Sequence, residues 1–233
     1  MADRPLVLAH RGASRVAPEN TIEAFAAARE LGADGVALDV RRTADDVLVV
    51  HHDPDVEGFG MIARHSFEAL RVAQPHVPTL DEVLAACIGL LVNAEVKCLP
   101  WEPDADGADR PVMRAVTTAL RAHAPGAIVS SFDLGAVDAC RAFAPELTTA
   151  WLTSGQDIAS ASAIAVAHGH TWLHPDRGSA LRDLGPGIRA AHDSGLRVDV
   201  WTVDDPEEMR ALAEAGVDAV VTNVPDIALA VLR

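Results

Sequence analysis

Side chains able to do acid–base and phosphate chemistry stand at the ends of short apolar runs in this chain. His10 and Arg11 follow the apolar run 7–9, and His52 follows the predicted strand 47–51. Imidazole titrates near neutral pH, so two histidines in one site can divide the work of general acid and general base. Arginine offers forked donors that match phosphate oxygens. These residues favour proton transfer at an anionic substrate.

Acidic residues add a second kind of chemistry. Asp39 stands inside the apolar run 36–40, where a carboxylate is costly to bury without a cation beside it. Glu95 and Lys97 are two residues apart, so they share one face of a strand. By themselves, Glu95 and Lys97 could equally form a simple ion pair with no role in function. Beside Asp39 they favour a ligand for a hard divalent cation and an anchor for phosphate.

Other polar residues have structural interpretations. Asn20 reads as a helix cap with Glu23 three residues later, which leaves Glu19 unexplained. The cluster His168, His170 and His174 matches no common metal-ligand spacing, so these residues are expected to be structural or solvated. Trp201 either fills space at the end of a strand or forms an aromatic wall for substrate.

Composition restricts the partners. The formal net charge of −15 repels nucleic acid and anionic membranes, and it requires a phosphate site to create local positive charge. No stretch approaches the ~20 consecutive apolar residues of a membrane span, and the first residues lack the apolar run of a signal peptide. Cys87, Cys98 and Cys140 indicate free thiols in a reducing cytoplasm. Oligomeric state is not readable from the chain.

Apolar runs alternate with alanine-rich stretches along the whole chain, which predicts one α/β domain spanning residues 1–233. Strands are predicted at 7–9, 36–40, 47–51, 90–96, 127–132, 148–152, 171–174, 198–203 and 219–222. Helices are predicted at 20–31, 80–88 and 111–123 and after most later strands. The segments 53–65 and 99–109 are predicted to be loops.

One short connection decides the topology. Only residues 41–46 separate the second strand from the third, and a parallel crossover needs a dozen or more. This pair is therefore predicted to be an antiparallel hairpin that turns at Asp45 and Asp46, which places Asp39 opposite His52. Eight strands remain, and they fit a closed (β/α)8 TIM barrel with one extra hairpin strand after strand 2. An open doubly wound sheet is the alternative, although no glycine-rich nucleotide loop follows the first strand.

In such a barrel the active site lies at the carboxyl ends of the strands, where these reactive residues are expected to gather. Their segments together resemble the glycerophosphodiester phosphodiesterase family over nearly the whole chain. The matching segments, in family order, are His10-Arg11-Gly12, Pro18-Glu19-Asn20-Thr21, Gly32-Ala33-Asp34, Leu38-Asp39-Val40, His51-His52-Asp53, Val77-Pro78-Thr79-Leu80, Asn93-Ala94-Glu95-Val96-Lys97, Ser131-Phe132, Trp201-Thr202-Val203 and Gly216-Val217-Asp218.

The resemblance implies roles for these residues. His10 and His52 would be the general acid and base, and Arg11 and Lys97 would bind phosphate. Trp201 is predicted separately, from its place at a strand end, to bind substrate. Asp39 and Glu95 would hold a divalent metal, Mg²⁺ or Ca²⁺. The implied reaction hydrolyses a small, anionic glycerophosphodiester to sn-glycerol 3-phosphate and an alcohol.

One position departs from the resemblance. The family pattern on the second strand is Glu-x-Asp, whereas this chain has Ala37-Leu38-Asp39. The chain either holds its metal more weakly, or it is a disabled relative that binds phosphodiesters, or Ala37 is a deliberate replacement. Related barrels cleave lysophospholipids or phosphoinositides, which would need an apolar rim or a basic pocket in the loops. The loops show no clear apolar or basic stretch, which favours a small, water-soluble diester.

Overall fold

The computed structural model describes residues 4–97, 99, 100, 102, 105–107 and 109–232. Its strands are β1 (Leu6–His10), β2 (Gly35–Arg42), β3 (Leu48–Val50), β4 (Asp55–Val56), β5 (Gly60–Met61), β6 (Leu91–Val96), β7 (Ile128–Ser131), β8 (Thr148–Thr153), β9 (Trp172–Pro175), β10 (Arg197–Val200) and β11 (Ala219–Thr222). Its α-helices are α1 (Ile22–Glu30), α2 (Phe67–Ala73), α3 (Leu80–Ala86), α4 (Pro111–His123), α5 (Leu134–Phe143), α6 (Ile158–Ala167), α7 (Arg177–Arg182), α8 (Pro186–Asp193), α9 (Pro206–Ala215) and α10 (Pro225–Val231).

Eight of the described strands close into a parallel barrel. The order β1-β11-β10-β9-β8-β7-β6-β2 returns to β1 through the pairing of β1 with β2, and β3 is added antiparallel to the outer edge of β2. Helices follow most barrel strands, so each strand is parallel to its neighbours. The predicted (β/α)8 barrel with one extra hairpin strand is confirmed.

The hairpin register differs from the predicted one by one residue. Val40 pairs with Val50 and Arg42 with Leu48, so His51 rather than His52 lies opposite Asp39. The loop holds three residues, because the N–H of Thr43 donates to the carbonyl of Val47 and Asp46 adopts a left-handed conformation with φ 64°. A three-residue hairpin loop that ends in a left-handed residue shifts the pairing relative to a two-residue loop.

Two further expectations were wrong. Thr21, not Asn20, caps α1, and the Thr21 side chain accepts a hydrogen bond from the N–H of Ala24. The expected loop 53–65 contains the small hairpin β4–β5, and α2 follows it. These elements cover an apolar cluster that includes Ile62 and Leu70, so local packing orders them.

The apolar residues occupy two layers. Alternate residues of the barrel strands, such as Leu38 and Val40 of β2, face the helices in an outer layer. The residues between them face the barrel interior, where Leu8, Ala37, Ile128, Ala150, Trp172, Ala219 and Val221 pack together. The interior residues of β2 above Ala37 are Asp39 and Arg41, which brings polar chemistry to the carboxyl end of the barrel.

The described residues contain no helix that is long and apolar enough to cross a membrane. Cys87 and Cys140 are free and buried, as expected, and burial raises the pKa of each thiol to about 12. Cys98 lies outside the described residues.

A buried acid lies within the barrel below its carboxyl end. His174 of β9 and Asp199 of β10 are fully buried, with Nε2 of His174 3.8 Å from Oδ2 of Asp199. Neither side chain has a hydrogen-bond partner among the described residues. Burial therefore raises the pKa of Asp199 to about 7 and lowers the pKa of His174 to about 3.

We expect Asp199→Asn to stabilise the protein more at pH 8 than at pH 5. The native pKa of Asp199 is raised from 3.8, so its favourable contribution is complete below 3.8 and is lost as pH rises through about 7. Between pH 5 and pH 8 this loss corresponds to a free-energy difference on the order of 3 kcal/mol. Urea unfolding of both proteins across this range measures it, with exposed Asp55→Asn as the control. A difference independent of pH would contradict the expectation.

Candidate active site

The residues selected from the sequence lie at the carboxyl end of the barrel. His10 ends β1, Asp39 is in β2, and Glu95 and Lys97 lie at the end of β6. His52 follows β3, and Trp201 follows β10. The pairing of β2 with β6 places Asp39 directly beside Glu95.

Asp39 is the buried centre of this group. It is 3% exposed, and its carboxylate lies 3.1 Å from Nζ of Lys97 and 3.1 Å from Nε of Arg11. Nδ2 of Asn20 donates to the same carboxylate at 2.8 Å. Burial opposes ionisation, but Lys97 and Arg11 outweigh it and hold the pKa of Asp39 below its usual value.

Asn20 is a residue of the candidate site that sequence reasoning missed. A helix-cap interpretation accounted for it locally, whereas its side chain reaches Asp39 and Thr21 takes the cap. Oδ1 of Asn20 is buried without a described hydrogen-bond partner. The signal available in the sequence was Thr21, a second capping residue directly after Asn20, since only one of the two can cap the helix.

The turn after β1 brings Arg11 to Asp39. Arg11 is left-handed with φ 57°, and its guanidinium also donates to Glu19 at 2.7 Å, which accounts for that residue. Gly12 follows with φ 83°, and a Cβ there would lie 2.5 Å from the backbone of Ala24 in α1. Only glycine allows this close contact between the turn and α1.

Lys97 joins the two carboxylates. Its ammonium lies 2.5 Å from Oε1 of Glu95 as well as beside Asp39, and the residue is 7% exposed. Burial and the neighbouring charge of Asp39 raise the pKa of Glu95, although Lys97 opposes this. Glu95 and Asp39 together raise the pKa of Lys97 against the effect of burial. The four charged groups, two carboxylates and the cations Arg11 and Lys97, sum to zero formal charge.

The Nδ1 atoms of His10 and His52 have different kinds of hydrogen-bond partner. Nδ1 of His10 is 2.8 Å from the amide oxygen of Asn223, whereas Nδ1 of His52 is 2.7 Å from the carboxylate of Asp53. Burial and Arg11 lower the pKa of His10, with Asn223 acting in the opposite direction. Burial and Lys97 lower the pKa of His52, while Asp39 and Asp53 oppose them.

The segment that carries His52 is held by Arg41. This residue is 1% exposed, and its Nε donates to the carbonyl of His52 at 2.8 Å. Its guanidinium also bonds the carboxylate of Glu102 at 3.1 and 3.3 Å. The N–H of His51 still donates to the carbonyl of Asp39 at 3.0 Å, so His52 is the first residue beyond the hairpin ladder. His52 lies close enough to Asp39 for their charges to interact.

Trp201 lies at the edge of the group. Its indole N–H donates to the carbonyl of His174 at 2.9 Å, and its ring packs edge-on against Phe132 with centroids 5.4 Å apart. Trp201 is half-buried.

Ala37 limits the number of carboxylates at the candidate site. It faces the barrel interior two residues before Asp39, between the positions of His10 on β1 and Asn93 on β6. A glutamate there would point to the same side as Asp39. Among the described residues no group of three or more His, Cys, Asp or Glu side chains is arranged to hold a metal ion.

The chain matches a known family over nearly its whole length. The family model described as the glycerophosphoryl diester phosphodiesterase family matches residues 10–227. A glycerophosphodiester phosphodiesterase from Caldanaerobacter subterraneus subsp. tengcongensis is 32% identical, over 99% of this chain and 98% of the relative.

Solved structures agree on the fold. The glycerophosphodiester phosphodiesterase of Thermotoga maritima is 28% identical, with a TM-score of 0.80 over 97% of each chain. An Oleispira antarctica phosphodiesterase in complex with the product sn-glycerol-3-phosphate is 24% identical, with a TM-score of 0.84 over 98% of this chain and 96% of that chain. The extent of these matches, together with the shared barrel, shows that this chain belongs to the glycerophosphoryl diester phosphodiesterase family.

Proposed function

We propose that the protein hydrolyses a small glycerophosphodiester to sn-glycerol 3-phosphate and an alcohol. The observation that supports this most directly is the pair His10 and His52 beside a buried group of two carboxylates and two cations at the carboxyl end of the barrel. Family membership supports the same reaction class. The net charge of −15 makes such a local source of positive charge necessary for an anionic substrate.

Arg11 and Lys97 are the proposed phosphate ligands. Both are held in place by ion pairs, which fixes their positions before substrate arrives. Their charges are balanced by Asp39 and Glu95, so the group alone offers no net positive charge to a phosphodiester. A divalent cation would supply the missing charge.

Asp39 and Glu95 fit such a cation, Mg²⁺ or Ca²⁺, as its protein ligands. They stand side by side on adjacent strands, and a bound cation would offset the burial and the repulsion from Asp39 that raise the pKa of Glu95. Mg²⁺ commonly binds through one or two carboxylates, with water and substrate oxygens as the remaining ligands. When bound, the ion would polarise the phosphoryl oxygens.

The two histidines divide proton transfer according to their partners. The carboxylate of Asp53 opposes the burial and the Lys97 charge that lower the pKa of His52, and so favours the protonated form that a general acid needs to give a proton to the leaving alcohol. The neutral amide of Asn223 offers His10 less stabilisation of positive charge, which suits a general base. Trp201 and Phe132 provide an aromatic edge for the substrate.

A second candidate substrate has an apolar alcohol. A cavity of about 390 Å³ at the same end of the barrel is lined by Leu99, Phe132, Trp151 and Leu152, with Thr153, Ser154 and Gln156. Phe132 joins it to Trp201. This apolar rim is what a lysophospholipase D-type phosphodiesterase would need.

A comparison of substrates separates these two candidates. We expect faster choline release from glycerophosphocholine than from a short-chain lysophosphatidylcholine, because the groups around the proposed phosphate ligands are charged and gain nothing from an acyl chain. In Trp151→Ala the cavity loses an aromatic wall, so only turnover of the acylated substrate should fall. Preference of the wild type for the acylated substrate would favour the second candidate.

His52→Gln should lower kcat by about 10²–10⁴-fold, the usual contribution of general acid–base catalysis. His51→Gln is the matched control, because Nδ1 of His51 bonds the carbonyl of Asp53 and the residue lies outside the proposed machinery. Steady-state assays of both variants measure the contrast. Equal losses in the two variants would remove the proposed role of His52.

Ala37→Glu should raise affinity for Mg²⁺ or Ca²⁺ by at least about 10-fold, since it adds a third carboxylate on the face of Asp39. Calorimetric titration measures the affinity, and Ala37→Gln controls for side-chain size. Activity in both chains, higher in the variant, means that Ala37 only weakens the metal site. Activity in the variant alone means that this chain is disabled, and no gain in affinity would contradict the proposed ligands.

A further inference from the structure

Asn223 stands between His10 and the half-buried carboxylate of Asp204. Its Oδ1 lies 2.8 Å from Nδ1 of His10, and its Nδ2 donates to Oδ2 of Asp204 at 2.7 Å. The backbone N–H of Asn223 donates to the other oxygen of Asp204 at 2.8 Å. An ionised carboxylate only accepts hydrogen bonds, so Asp204 forces the NH₂ of Asn223 toward itself and the amide oxygen toward His10.

The amide oxygen in turn determines the proton on His10. It can only accept, and it already accepts from Oγ of Ser14 at 2.9 Å. Nδ1 of His10 must therefore carry the proton when the imidazole is neutral, and the lone pair is on Nε2.

The arrangement is rigid because it joins three neighbouring strands. His10 ends β1, Asn223 follows β11, and Asp204 follows β10, strands that are adjacent in the barrel. Oγ1 of Thr222 donates to Asp204 at 3.1 Å as well. Burial opposes ionisation of Asp204, but the bonds from Asn223 and Thr222 keep its pKa below the usual value.

We propose that Asp204 and Asn223 are positioning residues that hold His10 in the Nδ1–H tautomer and leave Nε2 as the atom that takes the substrate proton. This inference rests on the proposed function only for its catalytic consequence. The tautomer itself is a property of the protein without substrate.

Asp204→Asn provides a sharp test. The side-chain oxygen of the introduced asparagine still accepts the hydrogen bond from the backbone N–H of Asn223. The NH₂ group of the introduced asparagine therefore faces the side chain of Asn223. Asn223 must then rotate to present its oxygen to that NH₂, which turns its own NH₂ toward His10. A donor facing Nδ1 favours the Nε2–H tautomer, whose Nε2 cannot accept a proton.

Long-range ¹H–¹⁵N NMR reports the tautomer of each histidine, and the His10 signal is identified by its loss in His10→Gln. We expect an Nδ1–H signal in the wild type and a dominant Nε2–H signal in Asp204→Asn. Turnover of glycerophosphocholine should fall about 100-fold in kcat with KM unchanged.

Asp205→Asn is the matched control. Asp205 precedes α9 and accepts from the N–H groups of Glu207 and Glu208, which asparagine also caps. Asp205→Asn removes one negative charge from the loop that also carries Asp204, so the His10 tautomer and kcat should remain as in the wild type. If Asp204→Asn does not fold, Asn223→Ala replaces it, and a mixture of tautomers is expected.

Two results would overturn the proposal: an Nε2–H signal in the wild type, or a loss of activity in Asp204→Asn without a change of tautomer. An absence of all glycerophosphodiester turnover in the wild type would instead count against the proposed function, while the spectra would still decide the tautomer.

Discussion

A carboxylate buried at the mouth of a barrel needs partners, and Asp39 obtains them from three separate parts of the chain. Lys97 comes from the adjacent strand β6, Arg11 from the turn after β1, and Asn20 from the residue before the cap of α1. An unpaired charge at this depth would cost several kcal/mol. The conformations of the surrounding segments therefore depend on Asp39 being satisfied.

Two left-handed residues illustrate that dependence. Arg11 and Asn20 both have φ 57°, a conformation that costs roughly 1–3 kcal/mol for residues with a side chain. The N–H of Asn20 also donates to the carbonyl of Arg11, so the two residues hold each other in place. Their bonds to Asp39 offset the strain, and the resulting turn directs a guanidinium into the site.

The same group of residues connects stability with chemistry. Asp39 and Glu95 tie down Arg11 and Lys97, which limits the positive charge that a phosphodiester meets. Ala37 leaves the position beneath them without a charge or a hydrogen-bonding group. His10 and His52 stand around this group with different Nδ1 partners, an amide and a carboxylate. Chemically identical imidazoles thereby acquire different tendencies to hold a proton.

The sequence by itself determined the barrel, because apolar runs alternate with helical stretches along the chain. It also determined the extra hairpin strand, because the connection between strands two and three is too short for a crossover. The motifs placed the reactive residues at the carboxyl ends of the strands, since each motif directly follows or ends an apolar run. Tertiary structure decided the rest. The hairpin register differs by one residue from the predicted register because Asp46 is left-handed and lengthens the loop. Asn20 is a partner of Asp39 only because the folded barrel brings the two residues together. Asp204 and Asn223 lie about two hundred residues from His10, so no local pattern reports their contact. Hydrogen bonds between adjacent barrel strands depend on closure of the sheet, and closure is a property of the whole chain.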